Sequence, residues 1–271
     1  MKPFVQTILF IALRNFTWRW LFVPPVFLLA GWLYVDDIQF DLLAQFPRAV
    51  NIWDIPPAML VDQLHVAWIF ILGFIIVVGD NYIQDREMNT IALVLQRTQS
   101  RAKWWLARIL ALGMLAISFV ALAFLFSMIG SAFQVPITLQ DSPSALNTGE
   151  AGMPGPASPR WQHIPMPLFV VFVGVYTAFG LWFVASIVVT ISLIYPHPYL
   201  PIGFILTWLI SSFSISHLAI ADQFDVMYFV SYRKLFVPRL PVSPLIYTLM
   251  TILLFFVMLY VGTRQAQKAD F

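Results

Sequence analysis

Long apolar runs separated by polar or proline-rich stretches dominate the pattern along the chain. Away from their ends these runs carry no Asp, Glu, Lys or Arg, and each approaches the roughly 20 residues that a helix needs to cross a bilayer. The pattern predicts an all-α, polytopic membrane protein with a single transmembrane domain over residues 1–271. Its six expected spans are about 21–35, 64–79, 105–133, 167–195, 200–221 and 243–262.

The first 20 residues are too often interrupted by polar side chains to predict a span. Trp18, Arg19 and Trp20 end this stretch, and such a mixture of aromatic and basic residues is typical of the headgroup level of a membrane. We therefore expect 1–20 to form an interfacial helix. A signal peptide is the alternative, but no small-residue cleavage site follows and the apolar run resumes at once.

Three connecting segments differ in composition. Residues 80–104 form the only strongly charged stretch and are expected to be a cytoplasmic loop. Residues 134–166 are rich in Pro and Gly, which predicts an irregular outer loop. Residues 222–242 are amphipathic and basic, and the pattern leaves open whether they re-enter the membrane or lie on its surface.

Composition agrees with a lipid environment. Hydrophobic residues make up 60% of the chain and charged residues 10%, against about 25% charged in soluble domains. Membrane lipid is therefore an expected partner. The absence of Cys excludes disulfides, thiolate catalysis and Cys-based metal sites, and a net charge of +2 gives no reason to expect nucleic acid binding.

The distribution of basic residues predicts the orientation. With six spans both termini lie on the same side, and if that side is cytoplasmic the inside holds ten Lys and Arg against five outside. Cytoplasmic loops normally carry this excess. We expect an integral protein of the plasma (inner) membrane with both termini in the cytoplasm.

Sites for chemistry are sparse. The four histidines are scattered, and the chain has no H-E-x-x-H or G-x-S-x-G motif, so we expect no catalytic or metal site. The lack of ionisable residues within the spans argues against proton-coupled transport. A serine cluster in the fifth span is a possible substrate path, although hydroxyls in lipid-buried helices commonly bond to the preceding turn or to a neighbouring helix. Its members are Ser211, Ser212, Ser214 and Ser216.

The fourth span carries small residues at helical spacing. Gly174 and Ala178 are four positions apart and share a helix face that permits close approach of another helix. Packing within one subunit is the favoured interpretation, and a contact between two permeases is the alternative.

The charged loop carries a spaced pattern that resembles a known family. ABC-2 type permeases of ATP-binding-cassette transporters have, after their second span, a motif close to E-x-E-x-G-T-L-x-x-L-L, then P-x-S-R, then G-K before the third span. The spacing here matches position by position, with Asp for the first Glu, Asn for Gly, Thr for Pro and Ala-Arg for Gly-Lys. The residues concerned are Asp85, Glu87, Asn89, Thr90, Ile91, Val94, Leu95, Thr98, Ser100, Arg101, Ala107 and Arg108.

The resemblance implies a permease subunit that exports or flips an amphipathic or hydrophobic substrate. It would work with a second permease, identical or homologous, and with two copies of a separate ATPase that binds the ATP and Mg. This chain has no phosphate-binding G-x-x-x-x-G-K-[ST] loop, so no cofactor is expected on it. The residues that the resemblance assigns to coupling with the ATPase are Asp85, Glu87, Asn89, Thr90, Arg97, Ser100 and Arg101.

Two other classes stay open. One is a scaffold or assembly subunit of a membrane complex, which would share the apolar pattern without needing an ATPase. The other is an intramembrane enzyme acting on lipids, which would need a polar cluster at one membrane depth.

Overall fold

The computed structural model of the chain is helical throughout the part that it describes, in which there is no strand. The described residues are 2–43, 51–60, 64–79, 91, 94–95, 98, 100–137, 165–195, 197, 199–215, 226–231 and 244–268. The helices are α1 (Lys2–Arg14), α2 (Val23–Leu43), α3 (Ile55–Met59), α4 (Gly73–Val78), α5 (Arg101–Ser131), α6 (Met166–Ile194), α7 (Leu200–Ile215), α8 (Met227–Val230) and α9 (Pro244–Lys268). A 3₁₀ turn, Trp18–Phe22, precedes α2, another, Ile52–Asp54, precedes α3, and a π-helix, His65–Leu72, runs directly into α4.

Three segments of the described chain are long and apolar enough to cross a membrane: Trp18–Val35, Arg101–Ser131 and Met166–Ile194. They correspond to the first, third and fourth expected spans. The second and fifth expected spans coincide with the shorter apolar helices His65–Val78 and Leu200–Ser214. The sixth lies in α9, and the six-span topology as a whole stays a prediction.

Two helices run beyond the apolar segments that they contain. The first candidate span ends at Val35, whereas the helical backbone of α2 continues through Asp36, Asp37 and Asp41 to Leu43. Likewise α9 continues beyond the sixth expected span, through polar residues up to Lys268. Polar residues end an apolar run without ending a helix, because their helix propensities differ from that of Leu by only a few tenths of a kcal/mol.

Helix α5 is at the centre of the bundle and lies against α1, α2, α6 and α9. Its Phe119 is buried at the meeting point of three other aromatic rings, with centroids 6.3 Å away at Trp20, 5.6 Å at Phe27 and 5.2 Å at Phe74. Such tilted and edge-to-face pairs are favourable arrangements of aromatic rings. They join the 3₁₀ turn, α2 and α4 to α5 around one ring.

Helices α2 and α5 approach each other backbone to backbone. A Cβ on Gly31 would collide with the carbonyl of Ser127, and a Cβ on Gly130 would collide with the carbonyl of Leu28. Small residues permit such close approach, which is the usual means of packing helices in membranes.

Helices α5 and α6 are joined through large side chains instead. Trp182 lies over Gly113 and donates a hydrogen bond from Nε1 to the carbonyl of Ile109 at 2.7 Å. Gly174 faces the ring of Phe124, which a Cβ there would approach to 3.2 Å. The small residue at 174 therefore packs within this subunit, as the sequence favoured.

Candidate functional site

The structure describes two of the seven expected coupling residues, and both lie at the beginning of α5. Asp85, Glu87, Asn89, Thr90 and Arg97 fall outside the described residues. Ser100 and Arg101 are described and mark the point where the charged loop enters α5.

Ser100 is the N-cap of α5. Its backbone is extended, at φ −155° and ψ 126°, and its Oγ accepts a hydrogen bond from the backbone N–H of Lys103 at 3.4 Å. Its carbonyl accepts from the N–H of Trp104 at 2.9 Å. An N-cap serine satisfies a backbone donor that has no partner within the helix. The serine of the motif therefore fixes the residue at which α5 begins.

Arg101 joins the beginning of α5 to the end of α9. Its Nη1 donates a hydrogen bond to the carbonyl oxygen of Gln267 at 2.9 Å. Gln267 is in the last turn of α9, where carbonyls lack helical partners and the helix dipole favours a positive charge. The two residues are 166 positions apart, so this contact closes the bundle between its third expected span and its last.

The same two helices touch one turn further into the bundle. The indole of Trp105 covers Gly262, and a Cβ at 262 would lie 2.5 Å from the ring. Trp105 is fully buried, as is Ala266 in the final turn of α9. We call Ser100, Arg101, Trp105, Gly262 and Gln267 the α5–α9 junction.

The last part of the charged loop packs onto α1 and α5 beside this junction. Ile91 and Val94 are buried and line a small cavity, of about 10 Å³, together with side chains of both helices: Phe10, Ile11, Arg14, Trp104 and Arg108. Thr98, which replaces the motif's proline, donates its hydroxyl to the carbonyl of Val94 at 3.2 Å. Movement of the loop would therefore press on α1 and α5 directly.

A second cluster lies within the bundle. Residues 226–231 contain the four-residue helix α8 and pack against α6 and the π-helix. Each of their described side chains is buried, and we call them the buried segment. A helix this short leaves most of its backbone groups without partners of its own.

Ser212 of α7 and Thr177 of α6 supply two of those partners. The Oγ of Ser212 accepts from the N–H of Val226 at 3.2 Å. The hydroxyl of Thr177 donates to the carbonyl of Val230 at 3.2 Å. The hydroxyl of Ser231 donates to the carbonyl of Leu60 at 2.7 Å, which ties the segment to the end of α3.

The buried segment reaches the middle of α6. Gly180, the central residue of that helix, lies against the carbonyl of Phe229 so closely that a Cβ would collide with it. The ring of Phe229 contacts Phe183 at 5.0 Å and Trp208 at 6.2 Å. Part of 222–242 is therefore inside the bundle, and the apolar run from 226 to 230 is the signal in the sequence that could have indicated it.

The serines of the expected substrate path separate into different environments. Ser212 is buried and is used by the buried segment. Ser211 and Ser214 are exposed on α7, and Ser214 donates to the carbonyl of Ile210 at 2.9 Å in its own helix. Ser216 lies outside the described residues. A path along α7 would therefore meet Ser211 and Ser214 rather than Ser212.

No metal site is found in the described part of the chain, where no three His, Asp or Glu side chains come together.

One protein-family profile, described as a protein of unknown function (DUF2705), matches residues 32–271. No curated protein and no solved structure matches the sequence. The matched range contains the charged loop, the α5–α9 junction and the buried segment.

Proposed function

Because this chain belongs to DUF2705, a family of proteins of unknown function, its role has to be inferred from its own residues, and we propose that it is the permease subunit of an ABC transporter. It would export or flip an amphipathic or hydrophobic substrate, powered by a separate ATPase. The proposal starts from the spaced motif between 85 and 108, which resembles that of ABC-2 type permeases.

One contact carries the proposal: the hydrogen bond from Arg101 to the carbonyl of Gln267. An ATPase that moves the charged loop must transmit that movement to the spans, and Arg101 is both a residue of the motif and the link between α5 and α9. The packing of Ile91 and Val94 against α1 and α5 supplies a second connection from the same loop. Force applied at 80–104 would thus reach three helices without any contact deeper in the membrane.

The proposed assembly has two permeases, identical or homologous, and two ATPase subunits docked on the cytoplasmic face. Each permease lies in the plasma (inner) membrane, has six spans and has both termini in the cytoplasm. ATP and Mg bind to the ATPase, and this chain contributes the coupling loop and the path. Ser211 and Ser214 are exposed on α7 and are the candidates for substrate contact.

Affinity purification in mild detergent, followed by mass identification and an ATPase assay, tests this proposal. A nucleotide-binding subunit that copurifies in a fixed ratio, with ATPase activity, is the expected result. A tagged membrane protein of similar size and unrelated sequence serves as the control for non-specific recovery. Purification without an ATPase, repeated in lipid nanodiscs, would contradict the proposal and favour a scaffold subunit.

A further inference from the structure

An apolar groove of about 290 Å³ runs along the outside of the bundle. One wall is the 3₁₀ turn and the first part of α2, and the other is the π-helix with α4. Trp18, Phe22 and Val26 line the first wall, and Ile69 and Ile76 line the second. Each of these side chains is at least partly exposed. The groove is on the candidate span Trp18–Val35, which places it at the surface that meets the membrane.

Among the described residues that line this groove, one side chain is charged. Arg19 is at one end, where its Nη1 donates a hydrogen bond to the carbonyl of Ile76 at 3.0 Å. That bond restricts the guanidinium to a position beside the groove. The groove therefore has a basic side chain at one end and an apolar remainder.

The dimensions of the groove correspond to part of a lipid chain. It extends from Arg19 and Ile76 to Val26 and Ile69, seven residues along each wall, which is roughly 10 Å at 1.5 Å per residue. The upper part of one acyl chain has this length.

Gly73 forms part of the floor of the groove. A Cβ there would meet nothing closer than the ring of Phe119 at 3.8 Å, so the position has room for a side chain and none is present. The floor therefore lets a chain lie against the backbone of α4.

From these features we propose that an anionic phospholipid binds in this groove, with its phosphate on Arg19 and one acyl chain over Gly73. A ligand with a negative head and an apolar tail is complementary to a groove with one positive end and apolar walls, and anionic lipids attract basic groups at the membrane surface. The lipid is a bound component of the lipid-facing surface of the bundle and not the cargo. This site is independent of the proposed transport function.

Thermal unfolding of the full chain in detergent tests the proposal, with phosphatidylglycerol and phosphatidylcholine of the same acyl chains as the probes. Phosphatidylglycerol should raise the Tm of the wild-type protein more than phosphatidylcholine does, and inorganic phosphate should have no effect. Arg19→Gln should raise the half-saturating concentration of phosphatidylglycerol roughly tenfold, whereas Arg19→Lys should retain part of the effect.

Gly73→Leu fills the groove and should abolish stabilisation by phosphatidylglycerol. Its matched control is Gly203→Leu, since Gly203 in α7 has nothing within 4 Å of a Cβ. Retention of phosphatidylglycerol by the wild-type protein through detergent exchange, counted by native mass spectrometry, gives a measurement that does not depend on the variants folding. Equal stabilisation by the two lipids, or loss of all bound lipid in mass spectrometry, would overturn the proposal. A full phosphatidylglycerol effect in both Arg19→Gln and Gly73→Leu would also overturn it.

Discussion

Thr177, near the middle of α6, donates its hydroxyl to the carbonyl of Val230 at 3.2 Å, and neither residue is exposed to the surroundings. Within a membrane no water is available to satisfy a free carbonyl, so irregular backbone is tolerated only where protein groups bond to it. Thr177 and Ser212 perform this task for the buried segment, and its own Ser231 does the same for the carbonyl of Leu60. The segment is thus an integral part of the bundle, held by polar contacts at both of its ends.

Ser212→Ala should lower the free energy of unfolding by about 1–3 kcal/mol, because it leaves the N–H of Val226 buried without its acceptor. The matched control is Ser214→Ala, which removes an exposed hydroxyl bonded only to its own helix and should change stability by less than about 0.5 kcal/mol. Thermal unfolding of both variants in one detergent measures the difference. Equal stability of the two variants would contradict the role assigned to Ser212.

Gly180→Ala should destabilise the protein by about 1–3 kcal/mol, because the added methyl group collides with the carbonyl of Phe229. Gly203→Ala introduces the same change in an open position of α7 and should be neutral, or stabilising by up to about 1 kcal/mol. The two melting temperatures, compared with that of the wild-type protein, check the prediction. A Gly180→Ala variant as stable as Gly203→Ala would show that the buried segment does not press on α6.

A tag inserted next to Ala151 should be labelled from outside intact cells, whereas a tag at the C-terminus should be labelled only after permeabilisation. The physical reason is the excess of Lys and Arg on the side assigned to the cytoplasm. Labelling with a membrane-impermeant reagent makes the measurement, and a tag on a soluble cytoplasmic protein confirms that the cells are intact. The reverse labelling pattern would overturn the orientation.

Glu87→Ala combined with Arg101→Ala should reduce transport roughly tenfold or more while ATP hydrolysis by the partner ATPase continues. Arg101→Ala removes a charge-assisted bond to the end of α9, and such bonds contribute about 1.5–3 kcal/mol. Glu87 lies outside the described residues and is included because it occupies the motif. Transport and ATPase activity are measured together in proteoliposomes.

Lys103→Ala is the control for loss of one positive charge, since Lys103 is exposed, lies two residues from Arg101 and bonds to Ser100 through its backbone N–H. It should preserve coupling. Wild-type transport and substrate-stimulated ATPase activity in the double variant would eliminate the coupling assignment.

The helical class and the positions of the longest helices follow directly from the apolar runs. Helices α5 and α6 begin and end within four residues of the apolar runs at 105–133 and 167–195, because length and composition alone decide such helices. The N-cap at Ser100 also belongs to a local pattern, since its partner is three residues away.

The α5–α9 junction and the buried segment could not be derived in this way. Arg101 and Gln267 are separated by 166 residues, and nothing near either one specifies the other. The buried segment consists of a short apolar run inside a basic, proline-containing stretch, so its average composition left open whether it enters the membrane or lies on its surface. Its depth is determined by the space above Gly180, by the hydroxyl groups of Thr177 and Ser212, and by the bond from its own Ser231 to the carbonyl of Leu60.

The contact between α2 and α5 limits which parts of this protein can move. Gly31 and Gly130 let each backbone rest on the other over a full turn, with Ser127 and Leu28 as the opposing residues. With no side chain between them, neither helix can rotate or slide without a backbone collision. The two helices therefore move as one rigid unit. Any opening and closing of the bundle must occur where neighbouring helices contact this pair through side chains, since side chains can change rotamer.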